Sequence, residues 1–459
     1  MSHSGAKNTP RLLGGLAGSA LLVMALLICG VGSTSAATAL TLKQARAQAL
    51  QHNRDLLSAK QDVRLAETNV DIALSDALPH LRLDAGYTRN IESPSFFFYD
   101  DQGNSTEIRT ATDNAYQATL SLRQPIWQGG KVFTAYAISK LYRRYTDAIA
   151  QQVEDNVLYH TDVLFFQVML DRAILDTYRA AHANNVANLE VVEKKFEQGL
   201  VSRYELLRAR VEKANLEPMI LQAESVQRLS EKRLKSFLGL NLQELIDIIE
   251  PVADTSIAGL PPMTALVDSA LARRPESQQS ELVVDIAHKA IRIARGGYFP
   301  NIDFVSAYQW QGQSEDFNLN ENNSRAWTAG IQLSFPFFEG GRTRAEVGAA
   351  RADHNKARLN AAQVHDNVRL EVEAAYDRLI QAKKSLDAQV ETIAQADEGL
   401  RIATLSYDQG VGTQLEMISA QTALTQARQS LAQALFSFRQ ARSDLKRATT
   451  LDIESLLER

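Results

Sequence analysis

Cysteine is nearly absent from this chain of 459 residues. Cys29 stands alone, which excludes a disulfide scaffold and any cysteine-based zinc site. Glycine (23) and proline (11) are scarce, so the chain is neither collagen-like nor low-complexity. It has no basic excess: Lys+Arg 49 against Asp+Glu 54 gives a net charge of −5, and no nucleic-acid partner is expected. The eight histidines (His3, His52, His80, His160, His182, His288, His354 and His365) show no metal-ligand spacing. The pairs Gly129-Gly130 and Gly340-Gly341 lack the further glycines and lysine of a phosphate loop. No catalytic residue, metal or cofactor is therefore expected, and the chain does not read as an enzyme. Beyond Val31 there is no long apolar run, so any later membrane span must be made of strands.

What is present begins with an export signal. Lys7 and Arg11 precede an apolar stretch from Leu12 to Val31, and small residues follow at Ser33-Thr34-Ser35-Ala36-Ala37. A permanent anchor is the competing reading, since about 20 apolar residues span a bilayer. The glycines in the stretch and the Ser/Ala exit favour cleavage near Ala37. Removal takes the net charge from −5 to −7 and discards Cys29, which suits an oxidising compartment. Ile28 before Cys29 does not fit a lipoprotein signal, so no acylated terminus is expected.

The remainder is written twice. Gln124-Pro125-Ile126-Trp127-Gln128-Gly129-Gly130-Lys131 recurs as Phe335-Pro336-Phe337-Phe338-Glu339-Gly340-Gly341-Arg342, an offset of 211. The same offset relates Gln198-Gly199-Leu200-Val201 to Gln409-Gly410-Val411-Gly412. Upstream it is 221, matching Leu78-Pro79-His80-Leu81 to Phe299-Pro300-Asn301-Ile302. The ten extra residues of the first half belong in a loop. So long a period means two related units rather than a solenoid. The division expected is a leader at 1–37, a first repeat at 38–240, a connector at 241–262 and a second repeat at 263–459.

Each repeat holds two alternating strands, near 79–92 and 114–127 and near 299–312 and 326–338. Tyr116, Ala118, Leu120 and Leu122 oppose Gln117, Thr119, Ser121 and Arg123; Trp327, Ala329, Ile331 and Leu333 oppose Thr328, Gly330, Gln332 and Ser334. Such alternation over about 10 residues is the pattern of a transmembrane barrel strand. A half-buried soluble strand looks the same, but aromatics near the strand ends (Trp127, Trp310, Trp327, Phe337, Phe338) favour the membrane. Four strands cannot close a water-filled barrel, so copies must combine. Phe96-Phe97-Phe98-Tyr99 is open to reading as a ligand-binding patch, but its place inside the insertion favours an external loop tip folding over the barrel mouth.

Proline-free runs from Lys131 to Gln198 and from Arg342 to Gln409 predict helices about 100 Å long. Val372, Ala375, Leu379, Ala382, Leu386, Ile393, Ala396, Leu400, Ala403 and Tyr407 form a heptad seam, so partner helices are required. Both runs end at a glycine, Gly199 and Gly410, and Ser202 and Thr413 follow as N-caps. Glu205 and Glu416 stand at the capping-box position. Each repeat therefore closes in a helical hairpin, at 131–240 and 342–446, with shorter helices near 43–77 and 264–297 leading into the strands.

Paired Pro-x-x-x-Gly-Gly-[Lys/Arg] corners and paired Gly-Leu-Val-Ser and Gly-Val-Gly-Thr turns, behind a signal peptide, resemble the outer membrane efflux protein (TolC) family over nearly the whole mature chain. The resemblance implies a mainly α protein with a membrane β-barrel: a homotrimer sharing a twelve-strand barrel, continued by a long α-helical barrel through the periplasm. The corners Pro125, Gly129, Gly130, Pro336, Gly340 and Gly341 would join the two. It implies a passive exit duct in the outer-membrane lipid, partnered by a periplasmic adaptor (membrane fusion) protein and an inner-membrane transporter. The turn tips at Gly199, Ser202, Gly410, Gly412 and Thr413 would form the periplasmic mouth. There Glu416 matches an acidic ring position and Glu205 is its repeat mate, while Ser419 and Arg208 occupy a second position that is commonly acidic. Both glutamates also read as plain helix caps. A soluble periplasmic coiled-coil adaptor is the rival reading, and it would lack strands with a lipid-compatible face.

Overall fold

The computed structural model describes residues 38–92, 95–109, 111–249, 255–319 and 322–451. The leader expected at 1–37 lies outside them. In chain order the elements are β1 (Thr38–Leu40), α1 (Leu42–His52), α2 (Arg54–Ser75), β2 (His80–Arg89), β3 (Ser95–Tyr99), β4 (Ser105–Arg109), β5 (Asn114–Gln128), α3 (Lys131–Glu197) and α4 (Arg203–Leu238). The second half continues with β6 (Ile246–Ile248), α5 (Met263–Arg273), α6 (Pro275–Arg295), a 3-10 turn (Gly296–Tyr298), β7 (Asn301–Ser314), β8 (Asn323–Ser334), α7 (Arg342–Asp408) and α8 (Gln414–Thr449).

The repeat is visible residue by residue. Both long helices have 67 residues and both returning helices have 36. One apolar cluster gathers Ala45, Ala49, Val157, Val168 and Leu234; the other gathers their mates Leu266, Ala270, Val368, Leu379 and Leu445. On the predicted seam, Val372, Ala375, Leu379, Leu386 and Tyr407 are buried, and the positions between them are half-buried. A seam with few apolar residues per turn therefore still buries a continuous line, because α8 returns along it.

Three details depart from the sequence reading. Each leading helix is two helices, because Asn53 and Arg274 adopt extended backbone (ψ 128° and 134°). Asn53 caps α2 by accepting from the N–H groups of Asp55 and Leu56, whereas Pro275 forces the residue before it out of helical geometry. The connector carries β6, which pairs in parallel with β1 and ties the start of the first repeat to its end. Last, β8 stops at Ser334, so Phe335 to Gly341 descend to α7 as irregular chain.

Two buried charge networks lie among the helices away from the sheet. Arg46 donates to both carboxylate oxygens of Asp162 at 2.7 Å, and the Ser443 hydroxyl donates to the same carboxylate at 3.1 Å. Arg274, only 4% exposed, bridges Glu276 at 3.0 Å and Glu371 at 2.7 Å, and Arg447 reaches Glu371 at 2.6 Å. Burial works against ionising Glu276, but the Arg274 guanidinium overrides it and holds the carboxyl below its ordinary value.

Candidate functional site

The four long strands form one antiparallel sheet in the order β2-β5-β7-β8. Register puts Leu83 opposite Leu120, Leu120 opposite Tyr308, and Tyr308 opposite Trp327, so one row of apolar residues crosses the whole sheet. The alternate positions carry Asp84 opposite Thr119, Thr119 opposite Gln309, and Gln309 opposite Ala326. The apolar face is bare: Leu83 is 68% exposed, Ile331 70% and Trp327 79%. A soluble strand would bury such a face, and a barrel strand presents it to lipid. This removes the soluble-adaptor reading.

A bulge between Pro125 and Trp127 shifts the alternation by one residue, so that Trp127 rather than Ile126 pairs with Ile302 on the apolar face. At the other end Tyr116 stacks on Tyr87 (5.4 Å) and meets Phe317 edge-on (5.5 Å). Tyr116 and Trp127 lie about 37 Å apart along the strand at 3.4 Å per residue. A tilt of about 45° projects this to about 26 Å, close to the apolar height of an outer-membrane barrel. The insertion in the first repeat forms its own ribbon, β3 with β4, whose Phe96, Phe97, Phe98 and Tyr99 are all exposed.

At the corners the chain must turn from strand to helix. Gly129 and Gly130 (φ 61° and 75°) and Gly340 and Gly341 (φ 61° and 86°) all adopt left-handed backbone, which a side chain disfavours. Gly129 also packs on the Gly296 carbonyl, where an added Cβ would sit 2.4 Å away; its mate Gly340 has nothing within 4 Å.

The two helical turns lie side by side at the far end of the hairpins. Gly199 and Gly410 close α3 and α7 with φ of 72° and 75°. Thr413 and Glu416 form a full capping box: the Thr413 hydroxyl accepts from the Glu416 N–H at 3.3 Å, and the Thr413 N–H donates to the Glu416 carboxylate at 2.8 Å. In the first repeat Ser202 accepts from the Glu205 N–H at 3.2 Å, but only the Ser202 hydroxyl reaches back to the carboxylate, so the expected second box is half formed. Glu416 and Ser419 share an exposed face of α8, whereas Glu205 and Arg208 are half-buried.

Three further residues join the turns. Gln414, 5% exposed, donates to the Glu205 carbonyl at 3.1 Å. Tyr407 is buried with the Lys195 ammonium 4.3 Å over its ring. Burial, then the nearby Glu205 and Asp408 charges, push the Tyr407 hydroxyl above its ordinary value, so it stays neutral. Farther up, Gln421 donates to the Ala181 carbonyl at 3.2 Å. Sequence reading placed Tyr407 only as the last seam position and gave Gln414 no role; a polar residue opening a helix beside a second turn was the available signal. Among the described residues no group of acidic, histidine or cysteine side chains is arranged to hold a metal, and no helix is long and apolar enough to cross a membrane.

Comparison with known proteins matches residues 45–240 and 266–450 to the family described as outer membrane efflux protein. The Outer membrane protein TolC of Escherichia coli is 24% identical over 441 residues, covering 93% of this chain and 85% of that protein. The Alkaline protease secretion protein AprF of Pseudomonas aeruginosa is 24% identical over 332 residues, 71% of this chain and 67% of its own length. Among solved structures, the outer membrane protein VceC from Vibrio cholerae superposes with a TM-score of 0.72 at 19% identity, covering 89% of this chain and 95% of that one.

Proposed function

The chain belongs to the outer membrane efflux protein family, and on that premise we propose that three copies build one duct with a twelve-strand barrel and a periplasmic tunnel of helices. It is an exit duct of the outer membrane that extends into the periplasm. The observation that carries the trimeric reading is the sheet: four strands with one bare apolar face, one polar face, and outer edges on β2 and β8 that have no partner strand among the described residues. Three such sheets joined β8 to β2 would give a closed barrel with no edges and a lumen.

In this assembly the paired turns form the periplasmic mouth. Glu205 and Glu416 supply up to six carboxylates around it, with Ser419 and Arg208 a turn further in. The Glu416 cap does not compete with that role, because its side chain remains exposed while it accepts the Thr413 N–H. Like charges around a narrow opening focus the field and favour cations. A periplasmic adaptor docks on the hairpins and an inner-membrane transporter supplies the energy. The relatives are named for both efflux and protease secretion, so the substrate class is set by the transporter.

Native mass spectrometry and planar-bilayer recording test this together. The expected result is a three-chain species that conducts and prefers cations, a preference that Glu205→Gln with Glu416→Gln reduces. A non-conducting monomer overturns the duct, and unchanged reversal potentials in the double variant overturn the ring.

A further inference from the structure

The repeat relates the groove between α6 and α7 to the one between α2 and α3, yet their side chains differ. Near the sheet, the first groove carries Glu67, Asp71 and Leu74 on α2 and Phe133, Lys140 and Arg143 on α3. The second carries His288, Arg292 and Arg295 on α6 and Arg344, Arg351 and His354 on α7 at the matching places. Where Glu67 and Arg143 form an ion pair at 3.1 Å, His288 and His354 face each other with ring centroids 5.4 Å apart. Two acids have thus become basic groups; the acid on the same stripe of α6, Asp285, lies ten residues, about 15 Å, before Arg295 and away from the sheet.

Arg295, Arg344 and Arg351 line a cavity of about 450 Å³ with Tyr298, Phe299 and Val347. Arg344 and Arg351 are exposed, and among the described residues none of the three arginines has an acidic partner within ion-pair distance. The nearby Glu346 is engaged by Arg342 at 2.8 Å.

Position decides what this groove meets. Arg295 lies in the last turn of α6 and Arg344 in the first turn of α7, the ends that join the sheet. Arg351 is about 14 Å down α7 from Arg342 at 1.5 Å per residue, so the cluster occupies the helical layer next to the sheet, which the proposed barrel would set at headgroup height. The mate of Arg344 is Phe133, 67% exposed, and the mates of Arg295 and Phe299 are Leu74 and Leu78, 39% and 51% exposed. A run of bare apolar side chains at that height faces the membrane rather than the lumen, and the repeat puts the arginines on the same side. Tyr298 and Phe299, each about half exposed, and Phe337 and Phe338, 90% and 86% exposed, supply apolar surface next to the charge.

We propose that this groove binds the phosphate headgroup of an anionic phospholipid in the inner leaflet of the outer membrane, with Arg295, Arg344 and Arg351 donating hydrogen bonds to the phosphate oxygens and Tyr298 and Phe299 against the glycerol and upper acyl chains. Guanidinium forks suit phosphate oxygens, and the aromatic rim selects a lipid over a free anion. A trimer would carry three such sites alternating with three grooves in which acids and bases balance. The inference rests on the outer-membrane placement, though not on the acidic mouth.

The test is native mass spectrometry of the detergent-extracted protein with phosphatidylglycerol or phosphatidylcholine of the same acyl chains. Phosphatidylglycerol should be retained about tenfold more strongly, and Arg295→Gln with Arg344→Gln and Arg351→Gln should bring the two lipids level. Arg143→Gln, in the first repeat, should leave the preference intact. Equal retention by the unmodified protein overturns the proposal, as does a preference that survives the triple variant. Displacement of the lipid by inorganic phosphate overturns the lipid assignment in favour of a free-anion site. Chain count and conductance are read on the same samples, so a conducting trimer without lipid preference fails this inference alone.

Discussion

The two ends of the helical hairpins are held by different chemistry. Toward the middle of the molecule, α3 and α8 meet through the Asp162 carboxylate, gripped by Arg46 and by Ser443, beside two apolar clusters. At the turns the hairpins meet through two glutamine side chains on backbone carbonyls, Gln414 on Glu205 and Gln421 on Ala181, and through the Lys195 ammonium over the Tyr407 ring, a contact of about 0.5–1 kcal/mol at an exposed site. The apolar cluster at the tip, Val192 with Leu206 and Ala209, lies within one hairpin and does not bridge to the other. Buried ion pairs are costly to break, whereas a neutral hydrogen bond contributes only about 1 kcal/mol net. One end is therefore a fixed collar, and the other is held by weaker contacts, which is what the mouth proposed above would require.

Breaking the collar gives the largest effect. Asp162→Ala removes the carboxylate that Arg46 and Ser443 share, and such a loss in a buried pair costs about 3–5 kcal/mol. A drop of several degrees in the thermal melt of the detergent-extracted protein is expected, and an unchanged melt would mean the collar is not where stability resides. Gln414→Ala works at the other end. It forfeits one hydrogen bond, about 1 kcal/mol, so the melt barely moves while single-channel conductance rises. A falling melt with constant conductance would make Gln414 a structural residue and erase the contrast.

Acid gives the smallest effect. The Glu276 carboxyl is held below its ordinary value of 4.5, so its pairing with Arg274 stabilises the fold fully above that pH and the contribution fades as pH falls through the lowered value. Asp155 acts in the opposite sense: burial raises its carboxyl, so protonation there relieves the fold as pH falls. The melt should decline modestly on acidification below the ordinary carboxylate range, and Glu276→Gln should flatten the decline. A Glu276→Gln protein that loses stability as steeply as the parent assigns the acid response elsewhere.

Much of this architecture was legible because it is periodic. Alternation marks the strands, a seam of three-and-four spacings marks α7, and an offset of 211 ties Gly199 to Gly410 in the sequence itself. What escaped has no period. The bulge that turns Trp127 outward depends on a single extra residue, and the kinks at Asn53 and Arg274 each depend on one side chain or one following proline. Arg46 and Asp162 are 116 residues apart, and nothing local to either announces the other. The turns were half legible: the Thr413 and Glu416 cap could be placed by repeat and cap chemistry, but Gln414 gained its meaning only once the neighbouring turn stood beside it.

The sheet's two free borders have a genetic consequence. In the ring proposed above every copy must offer β2 to one neighbour and β8 to the other, so a copy spoiled on one border still captures a healthy partner through the other. Mixed with normal copies, it would end each ring it joined. Damage to β2 or β8 would therefore be inherited as dominant, whereas damage to β5 or β7, inside the sheet, would remove a chain before it recruited anything.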